Sequence, residues 1–433
     1  MSAAAGHSGR KNDEKNSGRT KGIVMSASAA APAVSKENIS FSSAKLSGTW
    51  TDIDKDANPT SDVRKAFDET QRFLAEILRC EQLVVLSGLG TSLGVKGAPT
   101  MGRLWSECET LAGTDFDNLC KLCNYPLDDA RKNKSENIEQ LLSNCLGALE
   151  YGSLSAADRL KVQNFTNLAE AKIVELTSFA TSGSDLAAHR EFLRRLGRRP
   201  IKQHRTKLFT TNYDRCFEIA AALSGLVVLD GFSFSRPSIY DASFFSYDLV
   251  RRRDDGAAPE FLPNLFHLYK LHGSVDWGRE PAGHIVKSDA PKKPLVIFPR
   301  DNKYQASYDP PFIDMIAAFQ QALKQPKTAL ICIGFGFNDH HLTEPIRSAL
   351  RTNQELRVAV VNPDLDGRYT SATSRRTNAR ILNDFEKLIS TLGDPRVAML
   401  NAKFDGFSKL IPDLNQKTPS EVLVEALTNW GRA

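Results

Sequence analysis

"KLFTTNYDRCFE" (residues 207–218) joins two kinds of chain with no linker between them. Leu208 and Phe209 belong to a short apolar strand that Thr210 and Thr211 close, and then come an amide (Asn212), a phenol (Tyr213) and a carboxylate (Asp214) without a gap. A strand apolar on both faces reads as the interior of a parallel sheet. In open α/β sheets, ligands bind beyond the carboxyl ends of such strands. Taken alone, the three polar residues also fit an ordinary strand-to-helix junction, because Asn and Asp cap helices and turns.

Six further runs share the strand pattern: "LVVLS" (83–87), "LVVLD" (226–230), "FHLYKL" (266–271), "LVIF" (295–298), "ALICIG" (329–334) and "RVAVV" (357–361). Helical segments lie between several of them. Ahead of the first, from Asp62 to Cys80, Phe67, Phe73, Leu74, Ile77 and Leu78 recur near the 3.6-residue period. This alternation predicts an α/β fold, a doubly wound, Rossmann-like parallel sheet. No strand is evident between Leu104 and Arg205, while "ENIEQLLSNCLGALE" (136–150) places Ile138, Leu141, Leu142, Cys145, Leu146 and Leu149 on one helical stripe. The sheet is therefore expected to carry an all-helical insertion domain.

The expected organisation is a disordered tail (1–58), a sheet domain (59–103 and 206–365), the helical insertion (104–205) and a C-terminal helical segment (366–433). The tail is rich in Ser, Ala, Gly, Lys and Asn, too polar to offset its ordering entropy. Met25, inside it, offers a second start of translation. At the other end Thr418, Pro419 and Glu421 form the N-cap, first-turn proline and capping-box glutamate of a last helix.

Composition narrows the function classes. Apolar residues make up 41% and charged residues 25% of the 433, the balance of a globular protein. No window approaches the roughly 20 apolar residues of a membrane helix, and no secretory core precedes the fold, so a cytoplasmic protein without a membrane partner is expected. Seven cysteines, an odd number, argue against a disulfide framework. Cys120 and Cys123 form the one Cys-x-x-Cys, with no second pair at zinc-ribbon spacing, so no metal is expected. The net charge of +5 does not by itself demand nucleic acid. Locally, "REFLRRLGRRPIKQHRTK" (190–207) carries eight Lys or Arg against one Glu and reads first as a solvated helix end, second as a phosphate- or subunit-contacting patch.

The strand ends hold the candidate chemistry. After "LVVLS" comes Gly88 to Gly94, a small-residue loop able to bring backbone N–H groups to phosphates, although it lacks the dinucleotide fingerprint spacing. After "FHLYKL" come His272, Gly273 and Ser274; after "ALICIG", Phe335 to Asp339; after "RVAVV", Asn362, Pro363 and Asp364. Amide, carboxylate, imidazole and glycine offered at one rim suggest a single assembled site.

The ordered set "SGLGTS" (87–92), "TTNYD" (210–214), "KLHGS" (270–274), "IGFGFND" (333–339) and "VVNPD" (360–364) resembles the sirtuin-like NAD-binding domain. The likeness is to its divergent bacterial branch, whose members hydrolyse NAD in antiphage defence. "NIEQLLS" (137–143) and "VIFPRDNKY" (296–304) resemble that branch too, and the resemblance spans roughly residues 80–365. It implies NAD as substrate, Gly88, Gly90, Thr91 and Ser92 as the phosphate loop, Asn212 and Asp214 in the nicotinamide-ribose pocket, and His272 in catalysis. Gly334 and Asn362 would lie by the adenosine half. The residue types suit the chemistry. Breaking the nicotinamide–ribose bond passes through an oxocarbenium-like state that needs a fixed ribose and oriented dipoles. A neutral His272 would accept a proton from a ribose hydroxyl or water.

Three departures stand out. Leu89 replaces the usual alanine of the first loop, and Arg103 lies four residues after Pro99 where three is usual. Sirtuin deacylases carry a zinc module of two Cys-x-x-Cys pairs after the catalytic histidine, whereas Cys332 is the one cysteine beyond His272 here. The resemblance therefore implies an NAD glycohydrolase, acting as a homo-oligomer beside a separate ATPase or nucleic-acid-sensing partner. A non-catalytic module that binds NAD or ADP-ribose is the alternative, and protein deacylation a weaker one.

Overall fold

The computed structural model describes residues 39–53, 60–133, 135–200, 203–252, 254, 258–289, 291, 294–296, 309–363, 365–366 and 380–414. The 296–304 motif beyond Val296, Asp364 and the capping box at Thr418 lie outside them, as do residues 1–38.

In chain order the strands are β1 (Ser40–Ser43), β2 (Thr51–Asp52), β3 (Gln82–Ser87), β4 (Thr206–Thr210), β5 (Val227–Leu229), β6 (Ser238–Ile239), β7 (Val250–Arg251), β8 (Glu260–Phe261), β9 (Leu265–Lys270), β10 (Gly273–Arg279), β11 (Ile285–Lys287), β12 (Pro294–Val296), β13 (Thr328–Ile333), β14 (Arg357–Asn362) and β15 (Val397–Asn401). The first ten helices are α1 (Ser61–Arg79), α2 (Met101–Ala112), α3 (Phe116–Leu122), α4 (Leu127–Asn133), α5 (Ile138–Tyr151), α6 (Ala156–Thr177), α7 (Ala187–Gly197), α8 (Cys216–Leu223), α9 (Phe312–Lys324) and α10 (His340–Thr352); Arg380–Ser390 and Phe404–Leu410 follow.

Nine strands form the main sheet in the order β2-β1-β15-β14-β13-β3-β4-β9-β5. The seven from β15 to β5 are parallel, while β1 and β2 add an antiparallel edge. Side-chain alternation divides the core into two layers. Leu83, Val85, Leu208, Ile331 and Ala359 face α1, α7, α8 and the Phe404–Leu410 helix. Val84, Leu86, Phe209, Leu330 and Val360 face α9, α10 and the Arg380–Ser390 helix. Each fully buried Val, Leu or Phe contributes about 1.5–3 kcal/mol, so these strands are held by burial on both faces. The expected doubly wound α/β sheet is what the chain builds. Its order reverses between β3 and β13: from β3 the chain winds outward through β4, then returns to lay β13 on the other side.

The expected boundaries need three corrections. Residues 40–43 and 51–52, assigned to the tail, are strands, because the antiparallel ladder to β15 satisfies the backbone while Phe41 enters the core. The segment 366–433 is not simply helical, since all five residues of β15 are buried within the sheet. The described residues of "LVIF", Leu295 and Val296, join no parallel strand; within β12 they pair antiparallel with β10 in a small sheet of order β12-β10-β11-β6.

The helical insertion is real but shorter than 104–205. α2, α3, α5 and α6 share a core of Leu104, Trp105, Phe116, Ile138, Leu141, Phe165 and Ile173. α7 leaves that bundle and packs Phe192, Leu193 and Leu196 under the sheet, as the return crossover to β4. Cys120 and Cys123 are buried in the bundle core. Among the described residues no helix is long and apolar enough to cross a membrane, and no group of three or more His, Cys, Asp or Glu is placed to hold a metal ion.

Five arginines of the basic run 190–207 spend their charge inside the chain. Arg194 and Arg195 pair with Glu191, Arg198 pairs with Asp413, Arg195 also donates to the Ile411 carbonyl, and Arg205 forks onto Asp248 at 2.8 and 2.9 Å. Arg199 donates to the carbonyls of Leu78, Cys80 and Glu81. The run clasps the end of α1 and the segment after Phe404–Leu410; neither the solvated nor the phosphate-contacting reading describes these arginines.

Candidate active site

The rim at the reversal point gathers the residues that follow β3, β4, β9 and β13. Thr211 donates its N–H to the Ser87 carbonyl at 3.0 Å and Leu271 donates to Thr210 at 2.9 Å, so the loops leave the sheet side by side. The Gly88–Ser92 loop lies directly against Gly334. Gly90 N–H bonds Gly334 O at 2.9 Å, and a Cβ on Gly334 (φ +60°) would sit 2.7 Å from Thr91 N. Glycine is required there both for the left-handed backbone and for the backbone-to-backbone approach. Gly273 (φ +87°) is equally constrained, since a Cβ would lie 2.1 Å from Leu295 O of β12.

Asn212 is 7% exposed and holds the β3 loop. Its Nδ2 donates to Thr91 Oγ1 at 3.1 Å and Ser92 Oγ at 2.8 Å, while its backbone N–H is bound by Thr210 Oγ1 at 3.1 Å. Both amide hydrogens are thus used, leaving Oδ1 for another donor. Asp214 accepts from Ser92 Oγ at 2.7 Å and from Cys216 N at 2.9 Å, tying the loop to the start of α8. Ser87, Thr91, Ser92, Asn212 and Asp214 form one hydrogen-bonded network.

Tyr213, between them, points the other way, into the helical bundle core. Its hydroxyl donates to Glu139 Oε1 at 2.9 Å on α5. Burial, with the Glu139 charge beside it, holds the phenol well above its usual range, so it keeps its proton. Beneath the loop lies Lys270, 1% exposed. Its ammonium donates to the carbonyls of Tyr213 and Asp214 and to Glu218 Oε1 at 2.8 Å. Burial opposes this charge, but Glu218, Asp276 and Asp214 outweigh it and raise the lysine pKa.

His272, 3% exposed, sits where β9 turns into β10, its ring 6.5 Å from that of Tyr213. Burial, then the neighbouring His341, lowers its pKa well below the ordinary value, so the imidazole is neutral. His341 Nε2 lies 3.4 Å from His272 Nε2. Sequence reasoning stopped at Asp339 and missed His341; the signal was the "HH" pair opening the helix after "GFND". Asn362, at the end of β14, donates Nδ2 to Phe335 O at 2.7 Å and so braces the β13 loop.

A doubly wound α/β sheet whose strand ends meet in one polar rim defines a ligand-binding α/β domain. Residues 206–382 match the family model of the SIR2-like domain, and the chain carries such a sirtuin-like domain. The Gly88–Ser92 loop precedes the matched stretch. Similar solved structures include a Sir2 homolog in complex with NAD (14% identity, 78% of this chain and 91% of that chain, TM-score 0.40). A mutant Sir2 homologue with ADP-ribose (14% identity, 83% and 98%, TM-score 0.39) and a Sir2–p53 peptide–NAD+ complex (12% identity, 78% and 95%, TM-score 0.32) are others. No curated protein matches the chain.

Proposed function

We propose that the protein is an NAD glycohydrolase that cleaves NAD to ADP-ribose and nicotinamide, a regulated effector that depletes NAD in antiphage defence. The observation that carries this reading is a neutral, buried His272 beside the Asn212–Asp214 loop at the reversal point. A proton acceptor must be unprotonated at working pH, and burial secures that. The SIR2-like match over 206–382 supports NAD as the substrate.

In this reading Gly88, Gly90, Thr91 and Ser92 hold the diphosphate, and Gly334 and Asn362 border the adenosine half. Asn212 Oδ1 accepts from a ribose hydroxyl or the attacking water, while Asp214 holds Ser92, and through it the loop, in register. His272 takes the proton released as water adds to the oxocarbenium-like ribose. Hydrolysis is favoured over deacylation because Cys332, the one cysteine after His272, is buried in β13 and so cannot begin a zinc module. A homo-oligomer and a separate ATPase or nucleic-acid-sensing partner belong to the same proposal.

Nicotinamide release from NAD by the purified full chain tests it. Asn212→Ala and His272→Ala are each expected to lower kcat by about 10²–10⁴. Full activity in both variants sinks the assignment. Thermal stabilisation by NAD with no nicotinamide released would instead mark a binding module.

A further inference from the structure

Among the described residues His272 has one hydrogen-bonding partner, and that partner is another imidazole. The two Nε2 atoms are 3.4 Å apart, with ring centroids at 5.5 Å and planes inclined by 40°. His341 is the second residue of α10 and half-buried, whereas His272 is 3% exposed. Burial, then the adjacent His340, lowers the His341 pKa to about 4, so both rings are neutral near pH 7. The other titratable groups nearby are Tyr213, which burial keeps protonated, and Asp339, which acts on Tyr213.

Two neutral imidazoles joined through Nε2 can share one proton in two ways, and they differ in consequence. If His341 donates, His272 spends its Nε2 lone pair on that bond and carries its own hydrogen on Nδ1. No proton acceptor then remains on the ring. If His341 accepts, His272 keeps its hydrogen on Nε2 and its Nδ1 lone pair is free.

We propose that His341 is a positioning residue that accepts the Nε2–H of His272, fixes that tautomer, and thereby presents Nδ1 as the base. For its substrate this inference rests on the NAD-hydrolysis reading above. In the step itself the O–H bond of a ribose hydroxyl or water breaks and Nδ1–H forms on His272. The Nε2–H stays on His272, and its bond to the neutral His341 stabilises the imidazolium. The proton then passes to solvent, matching the one proton that NAD hydrolysis releases. A carboxylate commonly plays this orienting part; a neutral ring does so without drawing the His272 pKa upward.

Two measurements on the full chain separate the outcomes. With ¹⁵N-labelled histidine, NMR is expected to show His272 protonated at Nε2, and His341→Ala to leave it a mixture of tautomers. In kinetics, His341→Ala should lower kcat about 10–100-fold, as loss of an orienting partner does, with KM for NAD nearly unchanged. His341→Gln, whose Oε1 can accept in the same place, should recover most of the loss. A wild-type His272 protonated at Nδ1 overturns the inference, and so does unchanged kcat in His341→Ala while His272→Ala is inactive. If His272→Ala also keeps full activity, NAD hydrolysis by this rim is what fails, and the tautomer measurement alone decides the role of His341.

Discussion

The Tyr213 hydroxyl donates to Glu139 Oε1 at 2.9 Å, and this bond joins the candidate site to the helical insertion. Tyr213 is flanked by the two residues that hold the β3 loop, yet its ring belongs to the bundle core. Any movement of α5 is therefore felt by the residues on either side of it. Tyr213→Phe removes the bond while keeping the ring. It should cost about 1–3 kcal/mol, because Glu139 loses its donor. A double-mutant cycle with Glu139→Gln, read by chemical denaturation, should give a coupling energy of at least about 0.5 kcal/mol.

Lys270 and Glu218 make a buried pair beneath the same loop. Lys270→Met leaves Glu218 and two backbone carbonyls without their cation and should destabilise the fold by about 3–5 kcal/mol. Adding Glu218→Gln should recover much of that loss, and urea melts of the single and double variants check it. Equal stability of the two would show that the carbonyl bonds, not the charge pair, dominate.

Gly334 and Gly94 test the closeness of the two loops. Gly334→Ala meets Gly90 and Thr91 backbone atoms at 2.7–2.8 Å and must adopt φ +60°, so it should lose more than about 2 kcal/mol. Gly94 has open space around its Cβ position, and Gly94→Ala should stay within about 1 kcal/mol of wild type. Thermal unfolding of both variants decides whether the contact or loop composition matters.

Stability should fall as the solution is acidified from pH 6.5 towards 4. His189 lies between Phe217 and Phe404 with neither ring nitrogen bonded among the described residues, and burial lowers its pKa to about 4. The unfolded chain binds this proton near pH 6.5 and the folded chain does not, so the neutral His189 costs nothing above 6.5 and progressively more below it. At pH 4 the cost is about 3 kcal/mol. His189→Phe should flatten the pH dependence by that amount between 6.5 and 4 and leave it unchanged above 7; an unaltered slope would contradict the assignment.

The central strands were legible because burial on both faces writes an uninterrupted apolar run, as in "LVVLS" and "ALICI". β1 was not, because "SFSS" is polar by composition. Its backbone is satisfied by the ladder, and two of its serines bond outward, Ser40 Oγ to Asp366 Oδ2 at 2.7 Å and Ser42 Oγ to Gly48 O at 3.0 Å, which no propensity encodes. β15 was hidden by a short run beside polar loops, and α7 was merged with the insertion because helical periodicity does not say which core a helix faces. Asn212, Asp214 and His272 could be singled out from their place after strands. That Tyr213 turns away from them, and that His341 turns towards His272, depends on packing between distant segments.

The contact of Gly90 with Gly334 also dictates when the site comes into existence. Its two sides are far apart in sequence, so closing it means paying the entropy of a long loop before any local reward arrives. During synthesis β3, β4 and the helical bundle emerge well before β13. Until β13 has docked beside β3, the Gly88–Ser92 loop has its Asn212 and Asp214 partners but not Gly334, and His272 has no His341. A fragment that ends before β13 lacks Gly334, and one that ends before α10 lacks His341.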